Sequence, residues 1–295
     1  MILPDFILPS RQNQVWDKSG IDSYEECKDK KHFKSYPYKV EYRYNSRGFR
    51  DAEWPDNINE LQNAIWCVGD SFTVGLGSPL SHTWVNILQS VTNKRCINVS
   101  MDGASNKWIA RKVNKILDII KPSLIIIQWS YISRDELDNT LLSDEERRSR
   151  FYEKSVLEND NLLLKLWNSI QQLESGKQNT NIVHSFIPGY VTKIVNGVLS
   201  PTEAIKLWNG FKGVDWPDFP TTLNEFNNIP NFVIKELGNN YDEIKKYYEF
   251  YKPLNGINWI PEIEKLDSAR DGHHYDVITA TDFVEKLEHL IFPLR

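Results

Sequence analysis

Apolar residues along the chain gather in short dense runs separated by turn chemistry. Ala64–Val68 reads AIWCV and stops abruptly at Gly69-Asp70-Ser71. A run of this kind, bounded by turn residues, suits a buried strand. Thr83–Val91 (TWVNILQSV) suits a helix, and Arg95–Ser100 (RCINVS) a second strand. Beyond it, Ile109, Val113, Ile116, Leu117 and Ile120 follow i, i+4, i+7, i+8 and i+11, which is one helical face. Ser105 is placed to cap that helix, and Pro122 follows its end. Ser123–Ser130 (SLIIIQWS) does not alternate, as is usual for strands buried on both faces of a parallel sheet. A polar helical region is expected at roughly 144–175 and a fourth strand at Asn181–Gly189. An irregular, aromatic-rich insertion is expected at about 190–256, and a fifth strand at Gly256–Ile263 (GINWIPEI). In the closing segment Ala280, Phe283, Val284, Leu287 and Ile291 share one helical face.

Strands alternating with helices imply right-handed βαβ units on a parallel sheet. The expectation is therefore a three-layer α/β/α sandwich with about five parallel strands, spanning residues 64–295. Residues 1–63 are polar, aromatic-rich and weakly periodic, and read as an N-terminal extension lying over that domain. Trp16, Trp54 and the Tyr36–Tyr44 run are expected to serve packing. The 295 residues carry a net charge of −5, which makes nucleic acid a poor partner. No stretch has the ~18 consecutive apolar residues of a membrane span. Cys27, Cys67 and Cys96 form no CxxC pair, which argues against a disulfide framework and a structural zinc site. The opening MILPDFILPSRQ lacks a basic region and does not read as a signal peptide, so a cytoplasmic, reducing location is expected.

In doubly wound sheets, sites form beyond the carboxyl ends of the strands. Those ends here carry Gly69-Asp70-Ser71, then Asp102–Asn106 (DGASN), then Ser130–Glu136 (SYISRDE), and finally Ala269–Asp276 (ARDGHHYD). A serine hydroxyl is a weak nucleophile that needs an adjacent base. Imidazole can take its proton and return it to a leaving group, and a carboxylate fixes the imidazole's tautomer. Asp271 and His274, three residues apart, can share one turn.

GDSFTVGLG resembles the first block of the SGNH (GDSL-type) hydrolases, and DGHHYD resembles their last, with Asp and His three residues apart before the C-terminal helix. NVSMDGASN is similar to the second block, and Asn45–Pro55 (NSRGFRDAEWP) to a stretch often found before the first. The resemblance implies a flavodoxin-like SGNH hydrolase fold and a serine esterase. Ser71 would be nucleophile, His274 base and Asp271 its orienting acid, with an oxyanion hole from the N–H groups of Ser71 and Gly103. It implies no metal and no organic cofactor. The third block departs: the family carries Gly-x-Asn-Asp, whereas this chain reads QWSYISRDE, with Ile132 near the position of the missing Asn. Ser130, Arg134 and Asn106 are the candidates to replace that donor, and Arg134 also a candidate for substrate binding. The expected substrate is a small-molecule or carbohydrate ester, the latter favoured by the aromatic stretch Leu207–Phe219. An acyltransferase, or a degenerate module that only binds, is the alternative. The oligomeric state is not legible.

Overall fold

Four of the apolar runs become four parallel strands in the computed structural model, which describes residues 5–132, 134–135, 150–151, 156–188, 201–211, 216–220, 223–251, 257–260 and 263–291. β1 (Ile65–Gly69), β2 (Cys96–Ser100), β3 (Leu124–Trp129) and β4 (Asn181–Phe186) pair in the order β2-β1-β3-β4. Cys67 lies beside Asn98 on one side and Ile126 on the other, and Ile127 lies beside His184. Except for Asn181, every residue of these strands is buried. Unbroken Ile, Val and Trp runs are what two covered faces require.

After short helical turns at Glu25–Lys28, Lys31–Ser35 and Ile58–Asn63, the helices from residue 71 onward are, among the described residues, α1 (Ser71–Val74), α2 (Trp84–Thr92), α3 (Asn106–Ile119), α4 (Val156–Gly176), α5 (Pro201–Asn209), α6 (Leu223–Asn227), α7 (Asn231–Leu237), α8 (Asn240–Tyr251) and α9 (Val277–Ile291). α2 packs on β2 and against α9, whereas α3 packs on β1 and β3 and against α4. The chain steps from β1 outward to β2, then back across β1 to β3. With right-handed crossovers these two steps put α2 and α3 on opposite faces. The direction reverses between β1 and β3, so the crevice beyond their carboxyl ends is the natural ligand position. α3 buries Ile109, Val113, Ile116 and Leu117, and Ser105 Oγ caps it by accepting from Trp108 N at 3.1 Å.

Three expectations change. The sheet has four strands, not five. Of the Gly256–Ile263 run, Trp259 makes a single parallel bridge to His184, through His184 N to Asn258 O and Ile260 N to His184 O, both 2.8 Å. The sequence places Pro261 straight after Ile260, and proline is poorly suited to continuing a strand. Helix α4 spans Val156–Gly176, and Arg150–Phe151, expected to be helical, pairs antiparallel with Arg134–Asp135. The 190–256 stretch is largely helical where described: α5 buries Ala204 and Trp208, α7 Val233 and Leu237, α8 Ile244, Tyr247 and Tyr248. Aromatic residues carry low helix propensity, which hid these short amphipathic pieces.

The N-terminal segment enters the core. Phe6, Leu8, Phe49, Trp54 and Leu61 belong to the same buried cluster as the sheet. Trp66 of β1 packs against Phe6 and Trp54 at ring separations of 5.9 and 5.5 Å and donates its indole N–H to Leu61 O at 2.8 Å. Val15–Trp16 pairs antiparallel with Tyr42–Arg43. From the same segment Arg50, fully buried, donates through Nη1 to Val74 O (3.1 Å) and Gly75 O (2.6 Å), and through Nη2 to Glu41 O and Ser78 O (both 2.8 Å). Its guanidinium lies 4.4 Å from the Tyr42 ring. One side chain thereby satisfies the carbonyls of the turn that follows α1.

Arg50→Met leaves those carbonyls buried without a donor. It is expected to lower the unfolding free energy by about 3 kcal/mol or more. Urea unfolding reads this as a fall in midpoint at unchanged slope. Arg50→Lys should recover little, since one ammonium cannot span four acceptors; a loss under about 1 kcal/mol in Arg50→Met would contradict the role.

Candidate active site

β1 ends in a glycine because there is no room for a side chain. A Cβ on Gly69 would overlap Thr73 Oγ1 and come within 3.1 Å of Gln128 O. Asp70 then caps α1, its Oδ1 accepting from Phe72 N at 3.0 Å. Ser71 is therefore the first residue of the helix, and its own N–H lies outside the i→i−4 ladder. Gly77, at φ +77°, closes the turn. A Cβ there would lie 2.9 Å from Ala269 Cβ and 3.1 Å from Asp271 Cγ. The absence of that carbon lets the Ala269–Asp276 loop rest on the turn, joined by Arg270 N to Gly77 O at 2.9 Å.

That approach brings three predicted residues together. Ser71 Oγ lies 2.9 Å from His274 Nε2, and His274 Nδ1 lies 2.7 Å from Asp271 Oδ2. All three are at most 2% exposed. Asp271 Oδ1 accepts from His273 N at 2.9 Å and His274 N at 3.0 Å. Burial alone would raise the Asp271 pKa, but the His274 charge and these hydrogen bonds outweigh it and hold the carboxyl at about 2. An ionised carboxylate only accepts, so it selects the tautomer with the proton on Nδ1. Nε2 is then left with a lone pair facing the Ser71 hydroxyl.

Support for His274 comes from residues the sequence did not single out. Phe72 packs against its ring at 4.6 Å. Next along, Tyr275 OH accepts from Gln128 Nε2 at 3.1 Å, and Gln128 Oε1 accepts from Thr73 Oγ1 at 2.9 Å. β3 is thus tied both to α1 and to the histidine loop. Gln128 is the one polar side chain inside β3, which is the signal that could have found it. Arg270, just before Asp271, donates its Nε to Asp22 Oδ1 at 3.1 Å, and Tyr42 OH donates to Asp22 Oδ2 at 2.8 Å. Gly77 N donates to the same Tyr42 oxygen at 2.8 Å. No local pattern in the sequence couples positions 22, 42, 77 and 270.

The candidates for the missing third-block donor separate clearly. Asn106 pairs with backbone: Oδ1 accepts from Ser130 N at 2.8 Å, and Nδ2 donates to Ser130 O at 3.0 Å. This amide braces the end of β3, both its oxygen and its nitrogen engaged by the Ser130 backbone. Ser130 Oγ donates to Asp70 Oδ2 at 2.6 Å. Arg134 Nη1 donates to the same oxygen at 2.6 Å and to Ser130 Oγ at 2.9 Å. Of the three, Arg134 alone reaches the cavity at Ser71.

That cavity, about 580 Å³, is bounded on the sheet side by Ser71, Asp102, Gly103, Arg134, His273 and His274. Gly103 has φ +75°. The rest of the described wall comes from the N-terminal segment between Ser10 and Tyr24, including Arg11, Trp16 and Lys18. Trp16, expected to serve packing, thus faces the site while its ring meets Tyr44 at 5.1 Å. The aromatic stretch does the reverse. Trp208 contacts Trp216 and Phe219, and Phe219 stacks on Tyr248, within the buried cluster and away from the described cavity wall. Residues 212–215 of that stretch lie outside the described residues. Among the described residues no three His, Cys, Asp or Glu side chains group so as to hold a metal ion, and no helix is long and apolar enough to cross a membrane.

With strand order β2-β1-β3-β4, a serine directly after β1 and an Asp-x-x-His turn before the last helix, the fold is SGNH hydrolase-like. No protein-family model matches the chain, and no curated protein matches it in sequence. Several solved structures are similar to it. TesA aligns over 79% of this chain and 100% of its own, at 13% identity and a TM-score of 0.43. A member of the lipolytic protein G-D-S-L family from Veillonella parvula DSM 2008 aligns over 79% and 99%, at 13% identity and a TM-score of 0.39. The periplasmic domain of the lipopolysaccharide acetyltransferase of Salmonella ser. Paratyphi A aligns over 78% and 84%, at 12% identity and a TM-score of 0.37.

The depressed Asp271 value has a consequence for stability. A carboxyl whose folded pKa lies below its unfolded value of about 3.9 stabilises the fold above that pH and loses the contribution as pH falls. The window here runs from about pH 4 down to about pH 2, where the folded group itself protonates. Wild type is expected to exceed Asp271→Asn in unfolding free energy at pH 5, with the gap shrinking by about 2 kcal/mol by pH 2. Urea titrations at fixed pH values measure it; a gap independent of pH would contradict the assignment.

Proposed function

We propose that this chain is a serine ester hydrolase of the SGNH type, with Ser71 as nucleophile, His274 as base and acid, and Asp271 as the group that orients His274. The observation that supports the reading is the continuous relay of 2.9 and 2.7 Å contacts from Ser71 Oγ through the imidazole to Asp271. Its direction is set by a carboxylate that stays ionised.

The steps follow from those positions. Nε2 takes the Ser71 proton as Oγ bonds to the ester carbon, and the carbonyl electron pair moves onto oxygen. The N–H groups of Ser71 and Gly103 are the donors for that oxygen, and Arg134, on the same wall, is the side chain that stands in for the missing asparagine. When the tetrahedral species collapses, the alkoxide leaves with the proton held on Nε2. Water then repeats the cycle on the acyl-enzyme, His274 again acting as base, and releases the acid. No metal or organic cofactor enters this chemistry. An alcohol replacing water at the second step would give acyl transfer instead. The aromatic stretch that favoured a carbohydrate ester is packed internally where described.

A fluorophosphonate probe should label wild type once, and Ser71→Ala should abolish labelling and lower kcat on aryl acetates by about 10⁴-fold or more. Product analysis with an added alcohol acceptor separates hydrolysis from transfer. An unlabelled wild type, or an alanine variant with full activity, would remove the mechanism and leave a module that only binds.

A further inference from the structure

The loop that carries His274 is held by a part of the chain that no local motif marks. The short helical turn Lys31–Ser35 and the tyrosine after it contact residues 268–276 at several points. His32 Nε2 donates to Ser268 O at 3.1 Å and also to Ala269 O. Carbonyl oxygens only accept, so this nitrogen carries the proton. Phe33 lies 4.9 Å from the Arg270 guanidinium, and Tyr36 OH donates to Asp276 Oδ2 at 2.6 Å. One turn of chain thus meets the loop both before Asp271 and after His274.

Of these contacts, those of His32 bear on the loop backbone itself. Ala269 O also accepts from Gly272 N at 2.8 Å, and Ala269 N donates to His274 O at 2.9 Å. These bonds close the turn around Asp271. A carbonyl has two lone pairs, and on Ala269 the turn takes one while His32 takes the other. The imidazole also sits beside Gly272, where a Cβ would lie 3.8 Å from His32 Cδ2. Arg270 N meanwhile donates to Gly77 O at 2.9 Å. The residues leading into Asp271 are therefore fixed in sequence, Ser268 and Ala269 by His32 and Arg270 by Gly77.

We propose that His32 is a positioning residue of this active site, its N–H fixing the turn on which the Asp271 carboxylate meets His274 Nδ1. His32 is not part of the described cavity wall, so its influence runs through the loop. That influence is large where geometry is tight, since a misplacement of about 1 Å can cost about 10²-fold in rate. The contact requires a donor and not a charge. Glutamine, whose Nε2 has nearly the reach of the histidine Nε2 and carries N–H groups, is thus the conservative replacement. The kinetic consequence rests on the esterase reading, whereas the hold on the loop does not, so the two are tested apart.

His32 is only partly buried, so His32→Ala is expected to fold, and urea midpoints check this. With rates counted per fluorophosphonate-labelled site, His32→Ala should lower kcat on aryl acetates about tenfold while KM stays within about twofold. His32→Gln should return kcat to within about threefold of wild type. A merely structural role would change the number of labelled sites and leave the rate at each one unaltered. The second readout needs no substrate. The proton that His274 Nδ1 shares with Asp271 should resonate well downfield of the backbone amides in 1H spectra, assigned by its loss in His274→Gln. It should persist in His32→Gln and shift or broaden in His32→Ala. An unaltered resonance in His32→Ala overturns the positioning role. So does an unaltered kcat per labelled site, or a glutamine variant as impaired as the alanine one. Absence of labelling in wild type would overturn the esterase reading, and the resonance then decides the role of His32 by itself.

Discussion

The functional geometry depends on one close approach. The turn after α1 and the loop before α9 touch at Gly77, where a side chain would collide with Ala269 and Asp271. Because that carbon is missing, two segments 203 positions apart place a hydroxyl and an imidazole at 2.9 Å. The contact is held from several directions. Arg270 N binds Gly77 O, Tyr42 OH accepts from Gly77 N, and Arg50 ties down the carbonyls on either side. Interfaces of this kind do not deform gradually, since packed interiors have no spare volume. A small shift at Gly77 would move Asp271 and with it the tautomer of His274.

Burying acids carries a desolvation cost, and the structure offsets it differently at each one. Asp271 is stabilised by the imidazole and two backbone N–H groups. Asp70 faces Arg134 and the Ser130 hydroxyl. Asp22 faces Arg270 and Tyr42. Asp51 accepts from Arg95, Asn98 N and Trp54 Nε1, yet burial still pushes its pKa upward. Unpaired, any of these carboxylates would protonate or unfold its surroundings. Asp70 and Asp271 thus remain available to set local geometry, one as the cap of α1 and the other as the partner of His274.

The N-terminal segment has three connected physical roles. Its aromatic residues complete the core around Trp66, Arg50 satisfies the turn after α1, and residues 10–24 wall the cavity. Its weak periodicity concealed all three, because it follows the surface of another unit and owns little regular structure. The 190–256 stretch misled in the opposite way. Its Trp and Phe residues resembled a ligand platform, but where described they fill the space between α5, α6 and α8.

Local sequence was sufficient for the parallel sheet, its buried strands and the cap of α3, and it singled out Ser71, Asp271 and His274, which the fold places side by side. Each of these is set by neighbours within a few positions, whether a turn glycine, a capping oxygen or a continuous apolar run. That Arg134, and neither Ser130 nor Asn106, lines the cavity with Ser71 was decided in three dimensions. So were the commitment of Asn106 to the Ser130 backbone, the single-residue remnant of the fifth strand, and the presence of Arg11, Trp16 and Lys18 at the cavity. Those outcomes depend on which segments can approach without collision and which buried polar groups find partners. Neither is encoded within any short window of the chain.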